Sequence, residues 1–572
     1  MRNLKHRFDF CVVGGGLAGV CAAVAAARRG VRVALIQDRP VLGGNSSSEV
    51  RMWVCGAHGE NNRETGIIEE ILLENRYRNP YSNYSIWDTI LYEKVILESN
   101  IELFLNTTCN DIVMKDNLII AIKAWQMTTE TWHFVEAEYF ADCSGDSILA
   151  PLSGAEYRFG REARHEFDED IAPEIADKKT MGLSCLMQAR EREYKCEFIP
   201  PTWAYKYETD QQLNRDHALD RKQNFWWIEI GGEGHAIEDT EKCRDELLKI
   251  CYGVWDHIKN SGDHGADNWE LEWVGFLPGK RESRRYVGDY IITQNDVRSE
   301  GKFDDVVAFG GWPMDDHHPA GFNYEGYPTI FHEAPSPFGI PYRSLYSRNI
   351  KNLFFAGRNI SATHTALSST RVMATCALLG QAVGNAASVA KKYSCMPSDI
   401  TGSHIRELQQ SLLDDDCFLP GIVREQTVLT LEASLSVSNG VAESLRNGID
   451  RPVAGNDNCW KASAGDYALY EFEASRNINN VRLVFDSDLG RGLDMKFLKP
   501  KNFEQLSVPQ TLPKAFTIEV SDGDSWQCAY KENNNHQRHV TLNLNVQAKA
   551  IRFTLLETHG ASEINMFSFE LS

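Results

Sequence analysis

Apolar residues in this chain come first as near-continuous runs and last as alternating ones. Phe8 to Val13 is apolar except at Asp9, Gly14-Gly15-Gly16 interrupts, Leu17 to Ala27 is small or apolar throughout, and Val31 to Ile36 follows. A short run apolar on both faces predicts a buried strand, the glycines predict a turn, and the alanine-rich stretch predicts a buried helix. Helical spacing recurs over Thr65 to Glu74, Trp87 to Glu98 and Ser369 to Val389, with a bridge over Ser403 to Leu413. It also spans Glu238 to about Lys259, where Leu247, Leu248, Cys251 and Val254 share one face. Short strands are predicted at Ile101 to Leu105, Leu118 to Ile122, Tyr139 to Asp142, Phe225 to Ile230 and Ile350 to Phe355. From about Thr427 the period becomes two. The segments Val428 to Ala433, Tyr467 to Phe472, Val481 to Phe485, Ala515 to Val520, His539 to Leu544, Ala550 to Leu555 and Ile564 to Leu571 predict an antiparallel β-sandwich.

Composition narrows the picture. A chain of 572 residues exceeds one ordinary core, so several domains are expected. The formal charge of −21 argues against nucleic acid or an anionic membrane as partner. No glycine-free apolar span predicts a membrane helix. The fourteen cysteines are scattered without a C-x-x-C pair, which excludes the close spacing of iron–sulfur clusters and structural zinc. Asp414-Asp415-Asp416 lacks the alternating ligands of a calcium loop. No metal is expected, and a reducing, cytoplasmic setting is.

Gly14, Gly16 and Gly19 fall on the dinucleotide fingerprint G-x-G-x-x-G, with the tight turn at Gly14, close backbone approach to a pyrophosphate at Gly16 and helix–strand packing at Gly19. The ribose-binding position is Gln37 or Asp38, and Gly43-Gly44-Asn45-Ser46 follows. In this order the motifs resemble the FAD-dependent oxidoreductases that include fumarate reductases and succinate dehydrogenases. Covalently flavinylated members carry a histidine where this chain has Asn45, so the resemblance implies FAD bound without a covalent link. Ser144-Gly145-Asp146 resembles the A-T-G-D turn of such proteins, and Gly357-Arg358-Asn359 their C-terminal FAD motif, with Arg358 where many relatives have aspartate. The helix after that motif is implied to direct its positive end at the flavin pyrimidine. The resemblance covers about residues 8 to 395 and is nearest to a bacterial FAD-dependent oxidoreductase family that includes chains labelled xanthan lyases. Ala433-Ser434, Asn447-Gly448, Trp460 and Leu469-Tyr470-Glu471-Phe472 resemble discoidin-like, galactose-binding-like modules.

The expected fold class is α/β plus all-β. Residues 1–155 and 341–395 form a split Rossmann-like FAD-binding domain, 156–340 an inserted α+β substrate lobe, 396–426 a helical linker and 427–572 the sandwich.

A flavin carries the redox chemistry, so the protein must hold a C–H bond near it and handle a proton. Asp315-Asp316-His317-His318 supplies candidate bases with carboxylates to orient them, and His364 and Arg371 lie near the expected flavin edge. Arg281, Arg284 and Arg285 are candidate anion clamps, and Trp312 a candidate stacking platform with Trp226 and Trp227. Three functions follow: hydride transfer between FAD and a hydroxyl-bearing small molecule, with a sugar or glycan among the candidates; fumarate-reductase-like reduction of an unsaturated acid; or carbohydrate binding with a non-redox flavin domain. One nucleotide fingerprint leaves the external electron donor or acceptor unassigned.

Overall fold

The computed structural model describes residues 1–213, 215–220, 224–453, 455–495 and 498–572. The chain divides into two compact units. The first comprises Met1–His58, Tyr81–Leu408 and Leu493–Gln505, and the second Gly59–Pro80, Gln409–Gly492 and Leu506–Ser572.

The first unit is built on a five-stranded parallel sheet. Its strands lie in the order Leu353–Phe355, Tyr139–Asp142, Phe10–Val13, Val33–Ile36, Ile101–Phe104, with Val12 in register with Leu35 on one side and Ala141 on the other. All four residues of Phe10–Val13 are buried, as continuous apolar runs require in a sheet covered on both faces. The helix Leu17–Arg28 leaves this strand and packs on the long helix Met373–Tyr393. The two backbones approach so closely that a Cβ at Gly380 would stand 2.0 Å from Ala18 O, and one at Gly384 2.3 Å from Ala22 O. Met373–Tyr393 is long and apolar enough to cross a membrane, but 89% of its apolar window is buried inside the protein, which is the pattern of a core helix. Arg2–Arg7 adds an outer strand to a second sheet by pairing in parallel with Thr131–Glu136.

Four expectations change here. The single helix expected over Ser369 to Val389 is two, His364–Thr370 and Met373–Tyr393, parted at Arg371 and the extended Val372. Arg371 therefore closes the short helix instead of opening the long one, and its guanidinium is held by the main chain and carboxylate of Asp315. Only Glu229–Ile230 of the expected strand over Phe225 to Ile230 pairs as a strand. The helix expected from Glu238 runs over Thr240–Asp256 and continues as a π-turn, His257–Ser261. Its Leu247, Leu248, Cys251 and Val254 do share a buried face, packed with Phe225, Trp227 and Trp255.

The second unit holds a seven-stranded antiparallel sheet. The segments expected at Tyr467 to Phe472 and Val481 to Phe485 are one long strand, Tyr467–Phe485, and those at His539 to Leu544 and Ala550 to Leu555 are another, His539–Thr558. Register shifts in their pairing between Glu471 and Arg476 and between Ile478 and Asn480 let each strand serve two layers. One layer joins their Tyr467 and Thr558 ends to Ser434–Val437, Pro513–Ser521 and Trp526–Glu532; the other joins their Phe485 and His539 ends to Ile564–Leu571 and Trp460–Ala462. Trp460, Phe485, Phe516, Phe553 and Phe569 fill the core between them. Val428–Glu432, expected as a strand, is a short helix because the Thr427 hydroxyl caps it by accepting from the Thr430 N–H. Residues 59–80 belong to this unit although the sequence pattern groups them with the first strands. Leu73 enters the core, and Glu69 makes a bidentate ion pair with Arg491 at 2.7 and 2.6 Å.

Candidate active site

A cavity of about 680 Å³ opens at the carboxyl ends of the parallel strands, where open α/β sheets hold their ligands. Its lining includes Gly14, Gly15, Gly16, Gly43 and Gly44 together with Trp226, Arg281, Trp312, Asp315 and His317. Gly14 has φ +107°, and a Cβ there would stand 2.4 Å from the Cys143 carbonyl carbon. Gly19 lies outside the lining and serves packing, since its Cβ would meet Gly14 O at 1.8 Å. At Gly16 the nearest protein atom to a Cβ is Gly44 Cα at 4.0 Å, so a side chain there would stand in the cavity instead of striking the fold. The first residues of both long helices, Leu17 and Met373, line the cavity, and among the described residues neither helix start is capped by a side chain. The start of Leu17–Arg28 favours an anion, whereas at Met373–Tyr393 the Ala374 N–H already donates to Cys55 O at 2.9 Å.

Gln37 is committed to the fold. Its Oε1 accepts from the Gly15 N–H at 2.7 Å and its Nε2 donates to Val41 O at 3.0 Å. Asp38 is exposed and lines the cavity, so of the two candidates it is the one with its carboxylate uncommitted to the turn. Asn45 lines the cavity while donating to Lys280 O at 3.0 Å. Ser46 is buried with its hydroxyl on Gly43 O at 2.9 Å, so it holds the turn and does not reach the cavity.

Ser144, Gly145 and Asp146 line the cavity, as do Gly357 and Arg358. Asp146 Oδ1 accepts from Arg358 at 2.8 Å and Oδ2 from Lys280 at 2.6 Å. Burial acts to raise the Asp146 carboxyl, but Arg358 and Lys280 prevail and hold it well below the usual range. Asn359 is fully buried and turned away, its amide donating to Asp142 O at 3.3 Å.

Around His317 the side chains form a chain of charges. Arg281 lies 3.4 Å from Glu229, Glu229 accepts from His317 Nδ1 at 2.6 Å, His317 Nε2 faces Asp315 at 3.2 Å, and Asp315 accepts from Arg371 at 3.0 Å. Arg281 is fixed further by Ser184 Oγ at 2.8 Å. Burial acts to raise Glu229, but Arg281 and His317 hold it below the ordinary range; burial likewise opposes, and His317 and Arg371 overcome, the ionisation of Asp315. Trp312 Nε1 lies 3.4 Å from Asp315 Oδ2. Glu229 escaped the motif reading. Its one signal is a carboxylate inside the apolar run Phe225-Trp226-Trp227-Ile228-Glu229-Ile230.

The remaining candidates lie elsewhere. His364 is buried outside the lining, with Nδ1 2.9 Å from Glu282 and Nε2 3.1 Å from Asp316. Burial alone would favour the neutral ring, but Glu282 and Asp316 push its pKa up to about 10, which makes it a fixed cation and removes it as a base. Asp316 serves that contact and does not orient His317. Arg285 is 1% exposed and bound to Glu162, so it is no clamp for substrate. Arg284 donates to Asp146 O at 3.2 Å and lies over Tyr157, outside the lining. His318 also lies outside it, stacked on Tyr324 with ring centroids 3.7 Å apart.

The family described as FAD dependent oxidoreductase matches residues 9–412. Glycerol-3-phosphate dehydrogenase of Mycobacterium leprae is 38% identical over 69 residues, and glycerol-3-phosphate dehydrogenase 2 of Mycobacterium tuberculosis matches to the same extent. The match covers 12% of this chain and 12% of the length of these curated relatives. Among solved structures, the family 32 carbohydrate-binding module from Streptococcus pneumoniae EndoD is similar at 12% identity and TM-score 0.19, over 24% of this chain and 94% of that one. The family 32 module of Clostridium perfringens NanJ, in complex with galactose, is similar at 8% identity and TM-score 0.19, over 25% and 94%. With the matched span running from Asp9 through the parallel sheet and both helices that flank the cavity to Leu412, the chain belongs to the FAD dependent oxidoreductase family.

Proposed function

We propose that this oxidoreductase binds FAD non-covalently through a split Rossmann-like domain and moves two electrons between it and a hydroxyl-bearing substrate held at His317. The observation that carries the reading is one cavity whose lining holds both a glycine backbone cradle and His317 between two carboxylates. The volume lies within the range of cofactor sites, and the open space at Gly16 fits a group that must approach the backbone. Asp38 is the candidate for the ribose hydroxyls, and the start of Leu17–Arg28 for the pyrophosphate. FAD, when bound, supplies the two-electron acceptor or donor.

The chain's own part is the proton. Glu229 lies behind the cavity lining and holds the Nδ1 proton of His317, leaving Nε2 as the nitrogen nearer the lining residue Asp315. His317 serves as the base in its neutral form: a substrate hydroxyl that replaces Asp315 at Nε2 gives its proton to the ring as two electrons leave with the adjacent C–H hydrogen. Glu229 and Asp315 compensate the charge on the ring. Arg281 and Arg371 line the cavity, yet each is already paired with a carboxylate. That neutralised set suits a hydroxyl compound better than a dianion, and the exposed lining rings of Tyr327 and Phe331 suit the face of a sugar. The presence of two arginines in the lining supports a second reading, reduction of an unsaturated acid.

Anaerobic mixing of the flavin-loaded protein with sugars and hydroxy acids tests this. Bleaching by one such class, slowed by about 10²-fold or more in His317→Gln, is expected. If unsaturated acids reoxidise the pre-reduced protein and no hydroxyl compound bleaches it, the second reading replaces the first.

A further inference from the structure

Among the described residues, Asp210, His217, His257 and His264 form a group whose ligand atoms all lie within 4.8 Å of one another. None of the four lines the active-site cavity. Asp210 opens the short turn Asp210–Gln212, and His217 follows seven residues later. His257 begins the π-turn at the end of the helix Thr240–Asp256, and His264 lies seven residues beyond it. Such π-turns recur at functional sites.

The ring nitrogens are oriented from behind. His257 Nδ1 donates to Tyr207 O at 2.9 Å and His217 Nδ1 to Arg215 O at 2.7 Å. A neutral imidazole that spends its one proton on a carbonyl presents a bare lone pair at Nε2, and this backing is the usual support of metal-ligating histidines. His257 Nε2 lies 3.0 Å from Asp210 Oδ1 and 3.1 Å from His264 Nε2. The same Asp210 oxygen is 3.5 Å from His264 Nε2 and 3.8 Å from His217 Nε2. With Nδ1 committed to a carbonyl, the bare Nε2 atoms of His257 and His217 and the Asp210 carboxylate are acceptors directed at one small space, an arrangement a cation would stabilise. Tetrahedral zinc with nitrogen and oxygen ligands at about 2.0–2.2 Å sets ligand atoms roughly 3.3–3.5 Å apart, in the middle of the observed spread. Gly262 makes room, since a Cβ there would stand 2.3 Å from His264 Nε2.

We propose that Asp210, His217, His257 and His264 bind one zinc ion as a closed, four-coordinate structural site. The ion ties the segment from Tyr207 to His217 to the end of the helix Thr240–Asp256. Arg215 of that segment donates to the carbonyls of Gly321 and Tyr324, in the turn that follows His317 and His318, so the metal braces one wall of the active site from outside. The proposal stands against the expectation of no metal. The ligands come from a turn, a loop and a helix end, which no short motif joins, and none is a cysteine.

The test uses the untagged full chain with its flavin, equilibrated with Zn²⁺ and then dialysed. One zinc per chain is expected by elemental analysis, lost in His257→Ala and in His264→Ala, with a chelator lowering the Tm of the wild type alone. Should either variant misfold, Co²⁺ added to the metal-stripped wild type decides: intense ligand-field bands of four-coordinate cobalt support the site, and the weak bands of a six-coordinate ion overturn it. Zinc absent after dialysis, or retained equally by folded variants, also overturns it.

Discussion

His317 and His364 are both histidines between two carboxylates, and their surroundings divide their work. His317 lines the cavity, whereas His364 is sealed among Glu282, Asp316 and the Glu162–Arg285 pair. A cation fixed at His364 has a pH consequence of definite sign. Its folded pKa, about 10, lies above the ordinary 6.5, so its stabilisation is fully present below about pH 6.5 and is lost as pH rises toward 10. The Tm gap between wild type and His364→Gln is therefore expected to be widest near pH 6 and to narrow toward pH 10. A gap that widens with pH contradicts the assignment. The sequence offered both histidines as candidates, His317 beside Asp315 and Asp316 and His364 among threonines, without separating their roles. What separates them is Glu229 and Glu282, carboxylates far from their partners in the chain and brought to them only by the fold.

At the scale of elements, both helices were legible, while the close pairing of Leu17–Arg28 with Met373–Tyr393 and its function as a support for the cavity were not. Ala18 lines the cavity and its carbonyl is the atom a Cβ at Gly380 would strike. Gly380→Ala is expected to cost about 1–3 kcal/mol through overpacking and to weaken FAD binding with it. An unchanged Tm with unchanged flavin affinity would show that the helices yield without cost. The glycine fingerprint and the parallel strands were legible because buried strands and tight turns restrict residue type locally. The break at Arg371-Val372 was not, since the contact that holds it, Arg371 to Asp315, is tertiary. The two long strands of the second unit were read as four because the register shifts that interrupt their alternation resemble turns.

For the molecule as a whole, α/β followed by antiparallel structure was legible from the change of period near Thr427. The joining of residues 59–80 to the second unit was not, because Glu69–Arg491 spans most of the chain. The cavity gathers residues scattered between Val13 and Cys376, and of the motif residues Gly14, Gly16, Gly43, Gly44, Gly145, Asp146, Gly357 and Arg358 line it while Gly19 does not. The central claim is that FAD lies there without a covalent bond, against the cradle that Gly16 leaves open. Gly16 has φ −66° and free space on the protein side, so Gly16→Val fills the cradle without straining the fold. The most direct measurement is the visible spectrum of wild type and Gly16→Val, each before and after acid precipitation. The account predicts flavin absorbance in the wild type that passes wholly into the supernatant, and its loss from a folded Gly16→Val protein. Flavin that stays in the wild-type pellet, or that folded Gly16→Val carries at the wild-type ratio, would contradict it.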